Sequence, residues 1–581
     1  RSTAIGAFAL EAQNLTTATN AYNVAVGYDA GGDLTTGTEN TLIGSLAGDS
    51  LTDADFNVAL GVAALSTDLR GSRSVALGYA TLNSQNFTTA TNTYNTAVGH
   101  GAGNNVSTGF QNTLIGGLAG DALTDADYNT VVGKSALTAD TLGSRSVAIG
   151  AFALEAQNFT TATNSYNVAV GYDAGGDLTT GISNTIIGGE AGDALTDADD
   201  NVAIGRLALS GDTLGSGNTA VGRGALKVQN FTTATFSYNA AVGYGAGGSV
   251  TTGKSNTLIG GLAGDALTDA DQNVAMGRSA LSADTLGSNS TALGYGTLTN
   301  QNFTTATDSY NVAVGAFAGN DVTTGAFNTL IGGLAGDALT DGFDNVAVGK
   351  GALSTEDRGA KNTALGFEAL LNQNAGTGNT HNTAVGAEAG SSITTGVQNT
   401  FVGSLTGDGT DDGSYNTAMG HTALSANCAS GNTAVGWGAI AFTTGSQNVA
   451  MGNAAGYALT SGNSNILIGE NAGRTGNPGG NITTGSNEIC LGDSDVSEAH
   501  VQVDWTVASD QRDKTDFTAL DLGLDFVKAL APVTYKWDKR SKYGDKYADD
   551  YDLAAQTPDG THKEDWLDIG FKAQAVQALE E

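Results

Sequence analysis

The sequence is poor in the residues that mark several common protein classes. Its 581 residues include only 2 Cys, 3 Pro and 3 Met, and 14 % are charged. The cysteines, Cys428 and Cys490, lie too far apart for a disulfide framework or a metal-ligand spacing, so we expect no metal and no cofactor. Scarce proline excludes collagen. No apolar run approaches the ~20 residues of a membrane-spanning helix, so we expect no membrane insertion.

Positive charge is also scarce. The chain has 24 Lys and Arg against 59 Asp and Glu, a net charge of −35. Phosphate binding requires clustered basic side chains, so nucleic acid is not an expected partner. Acidity instead keeps a long repetitive object soluble. The hydrophobic share of 40 % is too high for a disordered chain.

What is abundant is a repeated unit, N-x-[small or aliphatic]-[aliphatic]-G, as in NTAVG and NTLIG. It occurs 28 times, and its glycines are spaced 21, 17, 17 and 17 residues apart. This rhythm recurs five times between Gly6 and Gly366 and then loosens up to Gly492. The chain opens inside a unit, at RSTAIG, so we expect it to be part of a longer protein.

Each position of the unit suggests a structural role. An aliphatic residue precedes every glycine, and we interpret it as an inward-facing column. Asparagine stands four residues before the glycine in 23 of 28 units, where stacked copies can hydrogen-bond along a column. The glycine itself is expected where the backbone needs a positive φ or a close approach. Cys490 takes the place of an Ala or Leu and should be buried.

Short strands, glycine turns and a fixed period predict a mostly β fold, a parallel β-solenoid with one unit per coil. Gly, Thr and Asn are poor helix formers, which argues against a helical solenoid. With 27 intervals of ~4.8 Å, the shaft would be on the order of 130 Å long. Because so thin a coil encloses little volume, we expect a single copy to need identical neighbours. The unit resembles the head repeat of trimeric autotransporter adhesins, which implies a homotrimeric β-roll.

Two loops recur within the predicted shaft. The longer intervals contain N-[LF]-T-T-A-T, and we predict its phenylalanines as candidate receptor contacts: Phe87, Phe159, Phe231 and Phe303. The alternative, which we favour, is that these rings fix the loop to the coil or to a neighbouring chain. The second loop, GDALTDAD, carries paired acids such as Asp125 and Asp127. Its acids would either share Ca²⁺ or form acidic solvated turns, and we favour the turns.

The composition changes near the C-terminus. Residues 509–581 are about 36 % charged, against about 11 % before them. LDLGLDFVKAL and FKAQAVQALEE have helical spacing, and VTYKW has the character of a strand, which predicts a small α+β domain. We divide the chain into a regular shaft (1–366), an irregular distal shaft (367–492), a connector (493–508) and this domain (509–581).

Three motifs in order, SDQRDK, ALAPVTYKW and DIGFKAQAVQALEE, resemble the C-terminal intramolecular chaperone of phage tailspikes, endosialidases and tail fibres. The resemblance implies a domain that trimerises the chain and then cleaves itself off as a single-turnover serine protease. By position, Ser509 is the nucleophile, Lys514 its partner and Ala508–Ser509 the scissile bond. Asp510 and Arg512 match the motif and are expected to support the loop.

Together these features favour a phage tail fibre in the extracellular virion that attaches to a host cell-surface receptor, with polysaccharide one receptor class. Its expected partners are two further copies of itself and other tail proteins. A bacterial surface trimeric adhesin is the alternative, and it would need a secretion signal and an anchor. A polysaccharide-degrading tailspike is less favoured, since a motif copied along a smooth shaft supplies no single cleft.

Overall fold

The computed structural model describes residues 1–376, 378–474, 476, 480–501, 524–543 and 555–580. They fall into two compact units, Arg1–Ser497 and Glu498–Glu581. The boundary between the units lies inside the predicted connector. Each unit is described by itself.

The first unit is a parallel β-solenoid, as predicted. One three-residue strand per coil joins a 28-stranded sheet, in which each strand pairs in parallel with that of the next coil. The strands are Thr3–Ile5, Val24–Val26, Thr41–Ile43, Val58–Leu60, Val75–Leu77, Thr96–Val98, Thr113–Ile115, Thr130–Val132, Val147–Ile149, Val168–Val170, Thr185–Ile187, Val202–Ile204, Thr219–Val221, Ala240–Val242, Thr257–Ile259, Val274–Met276, Thr291–Leu293, Val312–Val314, Thr329–Ile331, Val346–Val348, Thr363–Leu365, Thr383–Val385, Thr400–Val402, Thr417–Met419, Thr433–Val435, Val449–Met451, Ile466–Ile468 and Ile489–Leu491. Pairing continues across the predicted boundary at residue 366, where Thr363–Leu365 pairs with Thr383–Val385.

The inward-facing column is not the one that the sequence pattern suggested. From Ala25 onward the residue two before the glycine is buried, as Ala25 and Leu42 show, whereas the residue directly before the glycine lies on the outer face, where Leu60 is 48 % exposed. The reason is the two-residue period of a strand. The Asn four before the glycine and the residue two before it point to the same, buried face. The aliphatic residue directly before the glycine therefore points to the opposite face.

A single chain has its own hydrophobic interior, although so thin a coil was expected to enclose little volume. The inward side chains of a regular coil include the strand residue, one three after the glycine and one seven after it. In the coil of Gly27 these are Ala25, Ala30 and Leu34, all fully buried. The buried apolar side chains form one cluster running from Leu10 to Cys490. Cys490 is buried, as predicted.

The asparagine ladder is confirmed. The backbone N–H of Asn112 donates to Asn95 Oδ1 at 2.9 Å, and its side-chain Nδ2 donates to the carbonyl of Ala126 at 2.8 Å. Asn129 repeats the first bond one coil further on, to Asn112 Oδ1 at 2.9 Å. The repeat satisfies buried backbone groups that the short strands leave unpaired.

The repeat glycine is required for both predicted reasons. Gly27 has φ of 143°. A Cβ added there would lie 2.4 Å from the carbonyl oxygen of Gly44 in the next coil. A side chain at this position would therefore push neighbouring coils apart.

Every fourth coil replaces a buried leucine with an acid, which pairs with a glutamine of the next coil. Gln157 Nε2 donates to Asp140 Oδ2 at 2.6 Å, and both residues are fully buried. The five pairs are Asp68 with Gln85, Asp140 with Gln157, Asp212 with Gln229, Asp284 with Gln301 and Glu356 with Gln373. Beside each pair, a two-residue strand joins a second strand in parallel: Gly71–Ser72 with Thr91–Asn92, Gly143–Ser144 with Thr163–Asn164, Gly215–Ser216 with Thr235–Phe236, Gly287–Ser288 with Thr307–Asp308 and Gly359–Ala360 with Gly378–Asn379.

The second unit is α+β in its described part. It contains helices Leu524–Ala529 and Ala573–Glu580, and a short 3-10 turn, Arg540–Lys542. Strands Val533–Tyr535 and Asp568–Gly570 pair antiparallel. Both predicted helices and the predicted strand are confirmed where the structure describes them.

Candidate functional sites

The predicted processing site lies outside the described residues. This holds for the scissile bond Ala508–Ser509, for Lys514, and for Asp510 and Arg512. Their roles remain predictions.

The described part of the C-terminal unit is organised around Asp538. Its carboxylate accepts hydrogen bonds from Tyr543 Oη and from the backbone N–H of Gly560, both at 2.8 Å. Lys539 Nζ lies 3.7 Å from Glu564 Oε1, and the Glu564 N–H donates to the carbonyl of Trp537 at 2.9 Å. These contacts connect the segment after the first strand to the segment before the second.

This unit leaves large apolar side chains exposed. Ile569 is 79 % exposed, and Trp566 and Leu567 are exposed by 61 and 60 %. None of the residues of helix Leu524–Ala529 is buried. Such a surface is typical of a protein that packs against another polypeptide.

The recurring threonine loops are held down by their phenylalanines. The four rings are 5 to 7 % exposed, so Phe87, Phe159, Phe231 and Phe303 are not themselves available to a receptor. The Phe87 N–H donates to the buried Asp68 carboxylate at 3.0 Å. The structure thus favours the alternative in which the ring fixes the loop to the coil. What the loop presents to solvent is Thr88 and Thr89, and receptor contact through the loop stays a prediction.

The acids of the second loop bind the preceding coil. Asp125 Oδ1 accepts a hydrogen bond from Thr108 Oγ1 at 2.6 Å, and Asp127 Oδ1 accepts one from the Phe110 N–H at 3.0 Å. Burial raises the pKa of the Asp127 carboxyl, although the Phe110 N–H opposes the shift. These carboxylates therefore join adjacent coils, and among the described residues no group of three acidic, His or Cys side chains has a metal-site arrangement.

The related loop GDSLTDAD, residues 48–55, begins with Asp49, an acid in a different environment. Asp49 Oδ1 is buried, and no hydrogen bond to it occurs within the described part of the chain. Burial, with Asp29 and Asp33 nearby, raises the pKa of Asp49 to about 6. A carboxyl that titrates near neutrality makes this loop sensitive to pH.

The outer face of the long sheet was not predicted from the repeat unit. Two columns of side chains, three before and one before each glycine, cover it and form what we call the outer strip. The strip consists mostly of Thr or Val in the first column and Ile, Val, Leu or Met in the second. Ile115 and Met419 in this strip are 39 and 50 % exposed. The alternation of faces along a strand, counted from the buried asparagine, would have predicted this outer face.

Among the described helices, none has the length and apolar character needed to cross a membrane. Of the five histidines, His100 stacks on Tyr79 with ring centroids 5.2 Å apart, and His562 meets Tyr543 edge-on at 4.8 Å.

These features define the class, a parallel β-solenoid repeat protein that carries a small α+β domain at its C-terminus. Residues 509–580 match the family model described as chaperone of endosialidase. The match covers the predicted C-terminal domain and confirms that resemblance. No curated protein and no solved structure matches the chain significantly. A β-solenoid shaft with a domain of this family is consistent with a protein of the tail-fibre or tailspike type.

Proposed function

We propose that the protein is a homotrimeric phage tail fibre that attaches the virion to a host cell surface. Its shaft would be rigid and non-enzymatic, and the receptor would be a surface molecule, with polysaccharide as one class. The observation that carries this proposal is the match of residues 509–580 to the chaperone family, placed after a β-solenoid of near-identical coils.

Two exposed apolar surfaces support the trimer. The outer strip runs the whole length of the shaft, and the C-terminal unit exposes Trp566, Leu567 and Ile569. Contiguous apolar surface of this extent is costly in water and indicates a protein partner. A second and third copy of the chain offer the same strip at every coil.

The repeat explains why a chaperone is needed. Near-identical coils can pair out of step, and parallel pairing between distant segments is slow and prone to aggregation. A trimeric clamp at one end aligns the three chains before the coils form. Its removal leaves a fibre whose stability is kinetic, because the folding path cannot easily be retraced.

Self-cleavage would proceed through an ester. Lys514 accepts the hydroxyl proton of Ser509, and Oγ attacks the carbonyl carbon of Ala508. The peptide nitrogen leaves with a proton, and water hydrolyses the ester to an Ala508 carboxylate and a free Ser509 hydroxyl. Lysine acts as base only when its environment lowers its pKa, and the neighbouring carboxylate of Asp513 works against this.

The test is to express the chain and measure its mass and oligomeric state. We expect two products, residues 1–508 and 509–581, with the larger one trimeric by light scattering. Ser509→Ala should remain uncut and trimeric, Thr515→Ala should be cut normally, and Asp513→Leu should be cut faster. Full-length chain in every variant would overturn cleavage. A monomeric shaft, produced with residues 509–581 present, would overturn the trimer.

A second experiment isolates the chaperone role. Residues 509–581 are deleted from the gene in one sample and removed by an engineered protease site after folding in the other. We expect aggregates or monomers from the first sample and stable trimers from the second. Equal yields of trimer from both would show that the domain does not direct assembly.

A further inference from the structure

The outer strip is bordered by two further columns of exposed side chains. The leading edge is the residue five before each glycine, and the trailing edge is the residue directly after it. In the coil of Gly349 these are Asp344 and Lys350, both exposed. The outer strip contributes two columns and each edge contributes one. These four columns alternate along the chain with the buried Asn, the buried strand residue and the glycine, so they lie on one face.

In some coils the two edges carry complementary side chains. Both edges are charged in two coils, those of Gly205 and Gly349, and in each the two charges are opposite. The matched partners include Asp200 with Arg206, Asp344 with Lys350 and Tyr128 with Lys134. The last pair is the combination expected for a cation–π contact.

In two further coils a large trailing side chain lies opposite a glycine. Gly431 is the leading residue of the coil whose trailing residue is Trp437, and Gly217 occupies the corresponding place opposite Arg223. Trp437 is 51 % exposed. A bulky side chain is thus paired with a position that leaves it room.

These partners do not meet within one chain. Five residues lie between the two edges of a coil, three of them in the strand, so the Cα atoms of the edge residues are at most roughly 20 Å apart. Among the described residues, no ion pair and no cation–ring contact joins the two edges of one coil. The contacts run along an edge instead, as with Arg73 lying 4.7 Å from the ring centroid of Phe56 in the preceding coil.

We propose that the leading edge of each chain packs against the trailing edge of the next chain, coil against the same coil. This proposal rests on the trimer proposed above and specifies its contacts. If three strips face a common axis, the edges meet head to tail and the ring closes, as cyclic symmetry requires. Asp344 of one copy then reaches Lys350 of its neighbour, and the partners that are matched in one sequence become contacts between chains.

The edges also disfavour a stagger. Suppose that one chain slips by one coil, so that each leading edge meets the trailing edge of the preceding coil of its neighbour. Arg145 then faces Lys134, and Lys361 faces Lys350. Like charges brought together at an interface select against that arrangement. Slipping the other way places Asp344 beside Phe367 and removes its opposite charge, whereas Asp200 meets Arg223 and keeps one. The edges thus favour the arrangement that the chaperone is proposed to set.

Paired cysteines test this arrangement. In the full chain, Asp344→Cys with Lys350→Cys should give a covalent trimer under mild oxidation, because a disulfide needs Cα atoms within about 7 Å. The control variants move the second cysteine by one coil, as Asp344→Cys with Gly333→Cys and Asp344→Cys with Phe367→Cys. Both controls should remain largely monomeric on a denaturing gel. The native Cys428 and Cys490 are buried, so the unmodified chain gives the background.

The outcomes separate this inference from the proposed trimer. If light scattering shows a trimer but a control variant crosslinks better than the same-coil variant, or none crosslinks, the edge pairing is wrong and the trimer stands. If light scattering shows a monomer and no variant crosslinks, the trimer fails and the pairing fails with it. A repeat with Asp200→Cys and Arg206→Cys should reproduce the same-coil result.

Discussion

The backbone N–H of Phe159 donates to the carboxylate of Asp140 at 3.1 Å, from a loop nineteen residues further along the chain. The same carboxylate accepts from Gln157 Nε2 at 2.6 Å and from the Gly143 N–H at 3.0 Å. Burial raises the pKa of Asp140, and these donors oppose the shift. One buried acid therefore fixes both the longer coil and the loop that extends from it.

The first prediction concerns this acid. Asp140→Leu restores the residue type of the other coils but leaves Gln157 Nε2 buried with fewer partners, which costs about 1–3 kcal/mol. We expect faster amide hydrogen exchange in residues 139–168. Exchange should be unchanged in coils that lie two 72-residue repeats away.

The double variant Asp140→Leu with Gln157→Leu should recover much of the protection, because an apolar pair needs no hydrogen bonds. Thr161→Ala, an exposed residue of the same loop, is the matched control. If the double variant is less protected than Asp140→Leu alone, the pair does not act as a unit.

The second prediction concerns the asparagine ladder. Asn112→Ala removes an acceptor for the Asn129 N–H and a donor to the Ala126 carbonyl. Each buried group left unpaired costs about 1–3 kcal/mol. We expect local loss of hydrogen-exchange protection at residues 112–130, whereas Gln111→Ala, at the exposed neighbouring position, should change little. Equal effects of the two variants would show that the ladder contributes no stability.

The third prediction separates the two faces of one strand. Leu114 is fully buried and Ile115 is 39 % exposed. Leu114→Ala should destabilise its coil by about 2–5 kcal/mol, through lost burial and the cavity left behind. Ile115→Asp should leave the coil folded but reduce the recovery of trimers, since it places a charge on the outer strip. Circular dichroism and light scattering on both variants make the comparison, and a reversed pattern would contradict the assignment of the faces.

The fourth prediction concerns pH. The pKa of Asp49 is raised to about 6 from its ordinary 3.8, so between these values the folded state binds more protons than the unfolded state. Stability of this coil should therefore rise as the pH falls from 7 through 6 toward 4. Hydrogen exchange in residues 44–52, corrected for intrinsic rates, measures it.

Asp49→Asn should remove this local pH dependence, and Glu11→Gln, an exposed acid, should not. A slope that survives in Asp49→Asn would assign the effect to Asp29, Asp33 or another group.

Much of the shaft was predictable because its contacts repeat with the sequence. The parallel coils, the ladder through residues such as Asn112 and the close approach at Gly27 all follow from one residue type recurring at one spacing. The interior was not predicted, since it depends on turns in which Leu65 adopts a φ of 55°, a conformation that propensities do not favour for leucine. The burial of Phe87 depends on an acid one coil earlier, which a local motif does not reveal. Ser509 and Lys514 remain predictions.

The acid–glutamine pair joins two adjacent coils and recurs once in every four coils. Unequal recombination between the near-identical gene segments would add or delete whole 72-residue blocks, and each such product keeps every buried acid beside its glutamine. Loss of a single glutamine-bearing coil instead sets a buried carboxylate against an aliphatic side chain, as Asp68 would then meet Val106. The length of the shaft should therefore change during evolution in steps of four coils, and the buried contacts between coils would stay the same.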